Sequence, residues 1–357
     1  KIIGLKRENQ KITTEPGFQY ELSGAPFKNI HLVCSENSSH FNELKEVFSS
    51  ASITTSSIAY DPFNKLIEIP KSPKERYKIM TSEMPKGGKL SLDMMYKTAG
   101  IQINYDYTSE EDFEKKFKIG NYLAPLTIAL FANSPFNENK LSGFLSYRGK
   151  VWQETNRGGI MPITFEKLNF EKYIDYAINY PILFLKKKGK YFSPNGQTFK
   201  DFLDGSLNFI KGEKPSLEDF ENHLGTIFTE IRLKQVIEFR SLDTCNFGCI
   251  CNGPSFFTGL IYGSLDETYE IIKNWKKEEV MDAYLNAPKQ GLNTMLRNKR
   301  LIDWGKIFLD LSKKGLDKRN ELNKSGKNET IYLKHIEEII KNKKTRAEIL
   351  IEQYNKT

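Results

Sequence analysis

No stretch of the 357-residue chain is apolar for the roughly 18 residues that a membrane helix needs. No secretory signal pattern opens it, so a soluble protein with no membrane partner is expected. Nucleotide-loop signatures are missing as well. Neither G-x4-G-K-[ST] nor G-x-G-x-x-G occurs, and Lys86-Gly87-Gly88-Lys89 has the glycines without the spacing. No G-x-S-x-G elbow is present, which sets aside the common serine hydrolases. Cysteine is scarce. Cys34, Cys245, Cys249 and Cys251 are too few for a disulfide scaffold of this size. The run from Cys245 to Cys251 lacks the C-x2-C spacing of a zinc clip, so ordinary thiols are expected there. His31, His40, His223 and His335 form no local metal pattern.

The net charge is +8, with much of the excess in Lys186-Lys187-Lys188 and in the lysine-rich last 50 residues. No aromatic–basic RNA signature, zinc finger or helix-turn-helix accompanies it. A solvated lysine surface is expected, and no nucleic-acid partner. Apolar residues at 39% and aromatics at 12% suffice for a buried core.

Three short stretches read as strands with one apolar and one polar face. Side chains alternate along a strand, so residues two apart share a face. Over 15–23 one face collects Gln19, Glu21 and Ser23, the other Phe18, Tyr20 and Leu22. Over 101–107 the polar face is Gln102, Asn104 and Asp106, opposite Ile101, Ile103 and Tyr105. Over 232–240 it is Arg232, Lys234, Glu238 and Arg240, opposite Leu233, Ile237 and Phe239. Carboxylates and guanidinium groups on one sheet face can hold a metal and a polyanion together. Glu21 and Glu238 suit Mg²⁺, which takes oxygen ligands and is completed by substrate phosphates; Glu15, just before Pro16, is a weaker third. Arg240, two residues from Glu238, reads as a clamp on a phosphoryl group. Arg76, Arg148, Arg157, Arg232 and Lys234 are further anion-binding candidates.

Around these strands the pattern predicts a helix at about 38–50 capped by Ser38 or Ser39, and irregular connections over 52–100. A capping box at Thr108–Glu111 opens a helix kinked at Pro125. Residues 137–165, which include Arg148 and Trp152, read as loop. A helix at 169–179, a hairpin around Lys188-Gly189 and a helix capped by Ser216 follow. From Ser264 onward the pattern is helical. Strands first and helices last predict an α+β fold, with residues 1–263 as the catalytic core and 264–357 as a helical part packed on the same domain.

At these residues a resemblance emerges. Residues 15–26 (EPGFQYELSGAP), 76–80 (RYKIM), 92–95 (LDMM) with the strand to Asp106, 131–136 (FANSPF), 143–148 (GFLSYR), 221–224 (ENHL) and 231–240 (IRLKQVIEFR) resemble, in order, segments of the plant-type glutamate–cysteine ligase family. The helical tail through Lys314–Arg319 fits too. The resemblance implies a glutamine synthetase-like fold, a curved antiparallel sheet with helices outside. It implies ATP-dependent joining of the γ-carboxylate of L-glutamate to the amine of L-cysteine through an acyl phosphate, the first step of glutathione synthesis, in the cytoplasm or a plastid. Under it Glu15, Glu21 and Glu238 hold Mg²⁺, and Arg232 and Arg240 meet ATP. Arg240 and Lys234 are catalytic. Arg148 binds the glutamate α-carboxylate, and Arg76, Gln102, Asn104 and Trp152 are further substrate contacts. Family members carry an upstream strand with metal-binding glutamates. The chain begins at Lys1-Ile2-Ile3 after it, so a missing segment is expected. Cys34 and Cys251 resemble a pair that forms a regulatory disulfide, which gates the site or favours a homodimer; two reduced thiols are the alternative. A related ligase with another amine acceptor and a non-catalytic homologue remain open readings.

Overall fold

A computed structural model describes residues 4–356; the opening Lys1-Ile2-Ile3 lies outside them. Helices and small antiparallel sheets alternate in an α+β arrangement. Strands β1 (Gly4–Arg7), β2 (Gln10–Thr14) and β3 (Tyr20–Ser23) form one antiparallel sheet in the order β1-β2-β3. The strand expected over 15–23 is therefore a turn followed by β3. The Glu15 amide donates to the Gln19 carbonyl, and Phe18 sits at φ 62°, a left-handed conformation no strand contains. Phe18 and Tyr20, expected on an inward face, are exposed. Tyr20 instead packs on α1 (Ile30–Ser50), stacked on His40 and edge-on to Phe48. That helix starts eight residues before the expected cap. Asn29 caps it by accepting the Leu32 amide.

The connection over 52–100 carries two helices the sequence did not suggest, α2 (Glu75–Glu83) and α3 (Ser91–Lys97). Then come β4 (Gly100–Tyr105), α4 (Glu110–Tyr122) and α5 (Ala124–Leu130). Ser109, not Thr108, caps α4. Pro125 does not kink one helix. It sits in the first turn of α5, where its missing N–H costs nothing. A two-residue hairpin, β5 (Phe136–Asn137) and β6 (Lys140–Leu141), leads to α6 (Tyr147–Gln153), in a stretch expected as loop. Ser146 caps α6, and the Pro288 carbonyl accepts the Leu145 and Ser146 amides.

Helix α7 (Phe170–Ile178), the hairpin β7 (Leu185–Lys187) and β8 (Lys190–Phe192), α8 (Phe199–Asp204) and α9 (Leu217–Leu224) follow. The hairpin and the Ser216 capping box lie where the sequence placed them. Strands β9 (Ile231–Leu233) and β10 (Ile237–Asp243) form an antiparallel hairpin, so the single strand expected over 232–240 folds back on itself. The chain ends in α10 (Asn252–Thr258), α11 (Leu265–Ile272), α12 (Lys277–Gln290), the short pair β11 (Met295–Leu296) and β12 (Lys299–Arg300), and α13 (Leu301–Arg319), α14 (Lys334–Asn342) and α15 (Arg346–Tyr354). No described helix is long and apolar enough to cross a membrane.

The second three-stranded sheet has the order β4-β10-β9. Among the described residues it is separate from β1-β2-β3, not joined into one curved sheet. On β4, Ile101, Ile103 and Tyr105 point into the core while Gln102 and Asn104 are exposed. One cluster of buried side chains runs from Ile103, Ile231 and Phe239 through Phe117 and Leu126 to Phe308 and Ile336. A second gathers Tyr77, Met80, Met95, Val151 and Trp152. The polar face of β10 lies where the two meet.

Candidate active site

Antiparallel register puts Asn104, Glu238 and Arg232 opposite one another across β4, β10 and β9. Between Phe239 and Leu242 the register against β4 shifts, so Arg240 and Ser241 together oppose Gln102. Alternation puts Arg240 on the side of Glu238, and the bulge after it brings Leu242 back into the core with Phe239. Ser241 turns the other way and bonds Thr127 at 2.8 Å.

Glu238 is 3% exposed and ringed by cations. Its Oε2 accepts from Arg232 Nε, its Oε1 from Arg240 Nη1 at 3.0 Å, and Lys234 Nζ lies 3.8 Å away. Burial alone would raise its carboxyl. The charges of Arg240, Arg232 and Lys234 overcome that and hold it at about 2. Burial and the neighbouring Arg232 lower the Arg240 guanidinium to about 10. Burial also lowers Lys234, against the pull of Glu238.

Trp152, on α6, meets two guanidiniums, Arg240 at 5.2 Å and Arg148 at 5.3 Å from its ring centre. Arg148 is 2% exposed. Its Nη2 donates to the Arg240 carbonyl at 2.8 Å, and its Nη1 lies 3.7 Å from Asp243. It packs on Gly100, where an added Cβ would come within 2.6 Å of Nη2. These contacts hold the bulge in shape, so the expected assignment of Arg148 to a substrate carboxylate has to share that group with a structural task. Asp243 is an anchor the sequence did not suggest. It accepts from the Asn133 amide at 2.9 Å, Ser134 at 2.7 Å and Ser146 at 2.9 Å, tying β10 to the start of α6. Arg148 Nε, Arg240 Nε and Trp152 Nε1 have no hydrogen-bond partner, and both guanidiniums lie over the Trp152 ring. Buried donors are normally satisfied, so three unpartnered ones on residues packed together are a departure from the rule.

The β1-β2-β3 sheet brings its acids to the same region. Burial and Glu15 raise the Glu21 carboxyl, while Arg240 pulls it down and Glu238 adds repulsion. Glu15, at the turn into β3, lies 3.5 Å from the Tyr77 hydroxyl, and Arg76 Nη2 bonds that hydroxyl at 3.1 Å. Arg76 Nε is a further unpartnered buried donor. Glu15, Glu21 and Glu238 do not form one metal cluster. No group of three or more His, Cys, Asp or Glu side chains able to hold a metal occurs among the described residues. Glu238 has given both oxygens to arginines, whereas Glu15 adds to the burial that raises the Glu21 carboxyl.

Arg157 stands apart, bonded to the Thr226 and Pro181 carbonyls. A groove of about 620 Å³ beside α7, lined by Asn169, Lys172, Tyr176 and Tyr180 among others, holds none of these residues. Cys34 and Cys251 are joined, with Cα atoms 6.0 Å apart, fastening α1 to the chain just before α10. Cys245 and Cys249, expected as free thiols, are joined as well.

Guanidinium groups from β9, β10 and α6 gather around Glu238 and Trp152, with Glu21 of β3 in the field of Arg240, in an α+β fold. The profile of Glutamate-cysteine ligase family 2 (GCS2) matches residues 3–356. The chain is 41% identical over 360 residues to the chloroplastic glutamate–cysteine ligase of Solanum lycopersicum, covering 99% of this chain and 68% of that protein. Against the Arabidopsis thaliana enzyme the figures are 41%, 99% and 68%, and against glutamate–cysteine ligase B of Oryza sativa subsp. japonica 40%, 99% and 71%. The chain belongs to glutamate–cysteine ligase family 2.

Proposed function

We propose that this protein joins the γ-carboxylate of L-glutamate to the amine of L-cysteine at the expense of ATP, the first step of glutathione synthesis. A carboxylate is a poor electrophile. Transfer of the γ-phosphoryl group of ATP to its oxygen makes an acyl phosphate and releases ADP. The cysteine amine then attacks the acyl carbon; the C–N bond forms, the C–O bond to phosphate breaks, and inorganic phosphate and a proton leave.

Phosphoryl transfer needs positioning and charge neutralisation more than covalent help. Arg240, with Nε unpartnered, stabilises charge on the transferring group. Arg232 and Lys234 add positive potential along the ATP phosphates, and Glu238 fixes the two arginines. Arg148 and Trp152 present unpartnered donors to the glutamate carboxylates, Arg76 adds another unpartnered donor, and Gln102 and Asn104 offer amides from β4. Glu15 and Glu21 would hold Mg²⁺ through their carboxylate oxygens, since Glu15 adds to the burial that raises the Glu21 carboxyl, and the ion would supply positive charge to the phosphates. Glu238 assists from behind the arginines, in place of the direct ligation its spacing suggested.

The two separate sheets are read as parts of a glutamine synthetase-like cradle, with residues 1–263 carrying the site and 264–357 packed on it. The Cys34–Cys251 bridge is read as redox-responsive, with a homodimer as one of its states. The relatives are chloroplastic enzymes, and a plastid or the cytoplasm is the proposed compartment.

The observation that carries this reading is the group of unpartnered donors on Arg148, Arg240 and Trp152, with Glu21 in the field of Arg240. Incubation with Mg·ATP, glutamate and a panel of amines, followed by mass detection of products, tests it. γ-Glutamylcysteine as the main product supports it. Product only with another amine moves the protein to a related ligase, and glutamate binding without ATP turnover makes it a non-catalytic homologue.

A further inference from the structure

Asp243, the last residue of β10, is buried, and so are the two serines that donate to it. Both serines lead to α6. Ser134 donates to Asp243 Oδ2 at 2.7 Å, and the same hydroxyl oxygen accepts the Arg148 amide at 3.1 Å. Ser146 donates to Asp243 Oδ1 at 2.9 Å and accepts the Gly149 amide at 3.0 Å. A serine hydroxyl has one proton to give. Here both protons go to Asp243, so the carboxylate decides which way each oxygen turns its lone pairs. Both turn them to amides in the first turn of α6.

The guanidinium end of Arg148 meets the same acid. Its Nη1 lies 3.7 Å from Asp243 Oδ1, while Nη2 donates to the Arg240 carbonyl at 2.8 Å. Both anchors are on β10, and Nε is left without a partner. One carboxylate therefore holds Arg148 at its backbone, through Ser134, and at its head. Trp152 stands one turn further along α6 on the same face, with the guanidinium 5.3 Å from its ring centre. Two groups assigned to the glutamate carboxylates thus take their placing from a side chain too buried to touch substrate itself.

We propose that Asp243 is a positioning residue for glutamate binding: it aims Arg148 through the Ser134 hydroxyl and through the guanidinium together. The inference rests on the ligase reading above, in which Arg148 meets a glutamate carboxylate. Steady-state kinetics and thermal melts of the full chain carrying Asp243→Asn or Ser134→Ala test it, beside the wild type.

Asp243→Asn keeps the size but loses the charge and one acceptor oxygen. It is expected to raise KM for glutamate by about tenfold or more while KM for Mg·ATP stays within about twofold. Ser134→Ala cuts the tie to the Arg148 amide and leaves the carboxylate facing the guanidinium; a smaller rise in KM for glutamate alone is expected. A folded Asp243→Asn with wild-type KM for glutamate, or with both KM values raised equally, makes Asp243 a scaffold residue and overturns the proposal while leaving the ligase reading in place. Wild-type kinetics in Ser134→Ala overturns the route through the backbone. If Asp243→Asn does not fold, Ser134→Ala decides: a raised KM for glutamate alone supports the proposal, and any other result overturns it. A wild-type chain with no ligase turnover overturns both readings.

Discussion

Glu238 stands directly across the β9–β10 hairpin from Arg232 and accepts from its Nε, while its other oxygen accepts from Arg240 at 3.0 Å. One buried carboxylate therefore sets the position of two guanidiniums on neighbouring strands. Replacing it with glutamine leaves three cations without their counter-charge. Glu238→Gln should lower kcat by about 100-fold or more, by analogy with loss of a preorganised charge. It should also cost about 3 kcal/mol of stability, since breaking a buried pair strands the partner. Kinetics with a urea or thermal melt on the same sample check both. Near-normal turnover contradicts the role.

The same residue sets an acid limit to stability. Its carboxyl sits at about 2 in the folded chain against an ordinary 4.5. The folded value is depressed, so its contribution is fully present above the unfolded value and is lost as pH falls through the folded one. Stability should decline between about pH 5 and pH 2 in the wild type, and Glu238→Gln should lack that part of the decline. Denaturation curves across this range read it out.

Glu21 is shifted the other way, upward, by burial and by Glu15. Protons therefore compete with Mg²⁺ there at a higher pH than at an ordinary glutamate. Mg·ATP affinity, followed by titration calorimetry, should weaken on acidification before Glu238 titrates. Glu21→Gln should weaken affinity by roughly tenfold and flatten that pH dependence. Unchanged affinity in the variant removes Glu21 from the metal site.

Gly100 gives the Arg148 guanidinium its space, since a Cβ there would meet Nη2 at 2.6 Å. Gly100→Ala should push Arg148 off the Arg240 carbonyl and raise KM for glutamate more than KM for ATP. Equal effects on both would mean that the side chain yields without moving the bulge.

Cys34 and Cys251 are 217 residues apart in sequence, so their bridge restrains a long loop of the unfolded chain. Cys251→Ser should cost about 3–5 kcal/mol on the chain-entropy argument. The wild type should lose a similar amount in dithiothreitol. Equal melting temperatures with and without reductant would leave the pair without a stabilising role.

The sequence made some of this legible and hid the rest for physical reasons. Alternation identified β4 because one face is buried and the other wet. It failed for 232–240, because the turn at Lys234–Val236 has neither glycine nor proline and its only mark is a break in alternation at Gln235-Val236. Phe18 in a left-handed conformation was unreadable for the same kind of reason, since its side chain gives no turn signal. The C-terminal helices from α11 onward were plain from apolar stripes, whereas α3 and α6, seven residues each, are too short to show a period. Glu21, Glu238, Arg240 and Trp152 were named from strand faces and from the family resemblance. Asp243 was not, because its partners lie on distant elements and only folding pairs them.

Carboxyl activation by phosphorylation has a direct readout. Glutamate labelled with ¹⁸O in its γ-carboxylate is turned over with Mg·ATP and cysteine, and the inorganic phosphate is analysed by mass. An acyl phosphate passes one labelled oxygen to phosphate in each turnover, which is the expected result. Unlabelled phosphate alongside γ-glutamylcysteine would contradict it.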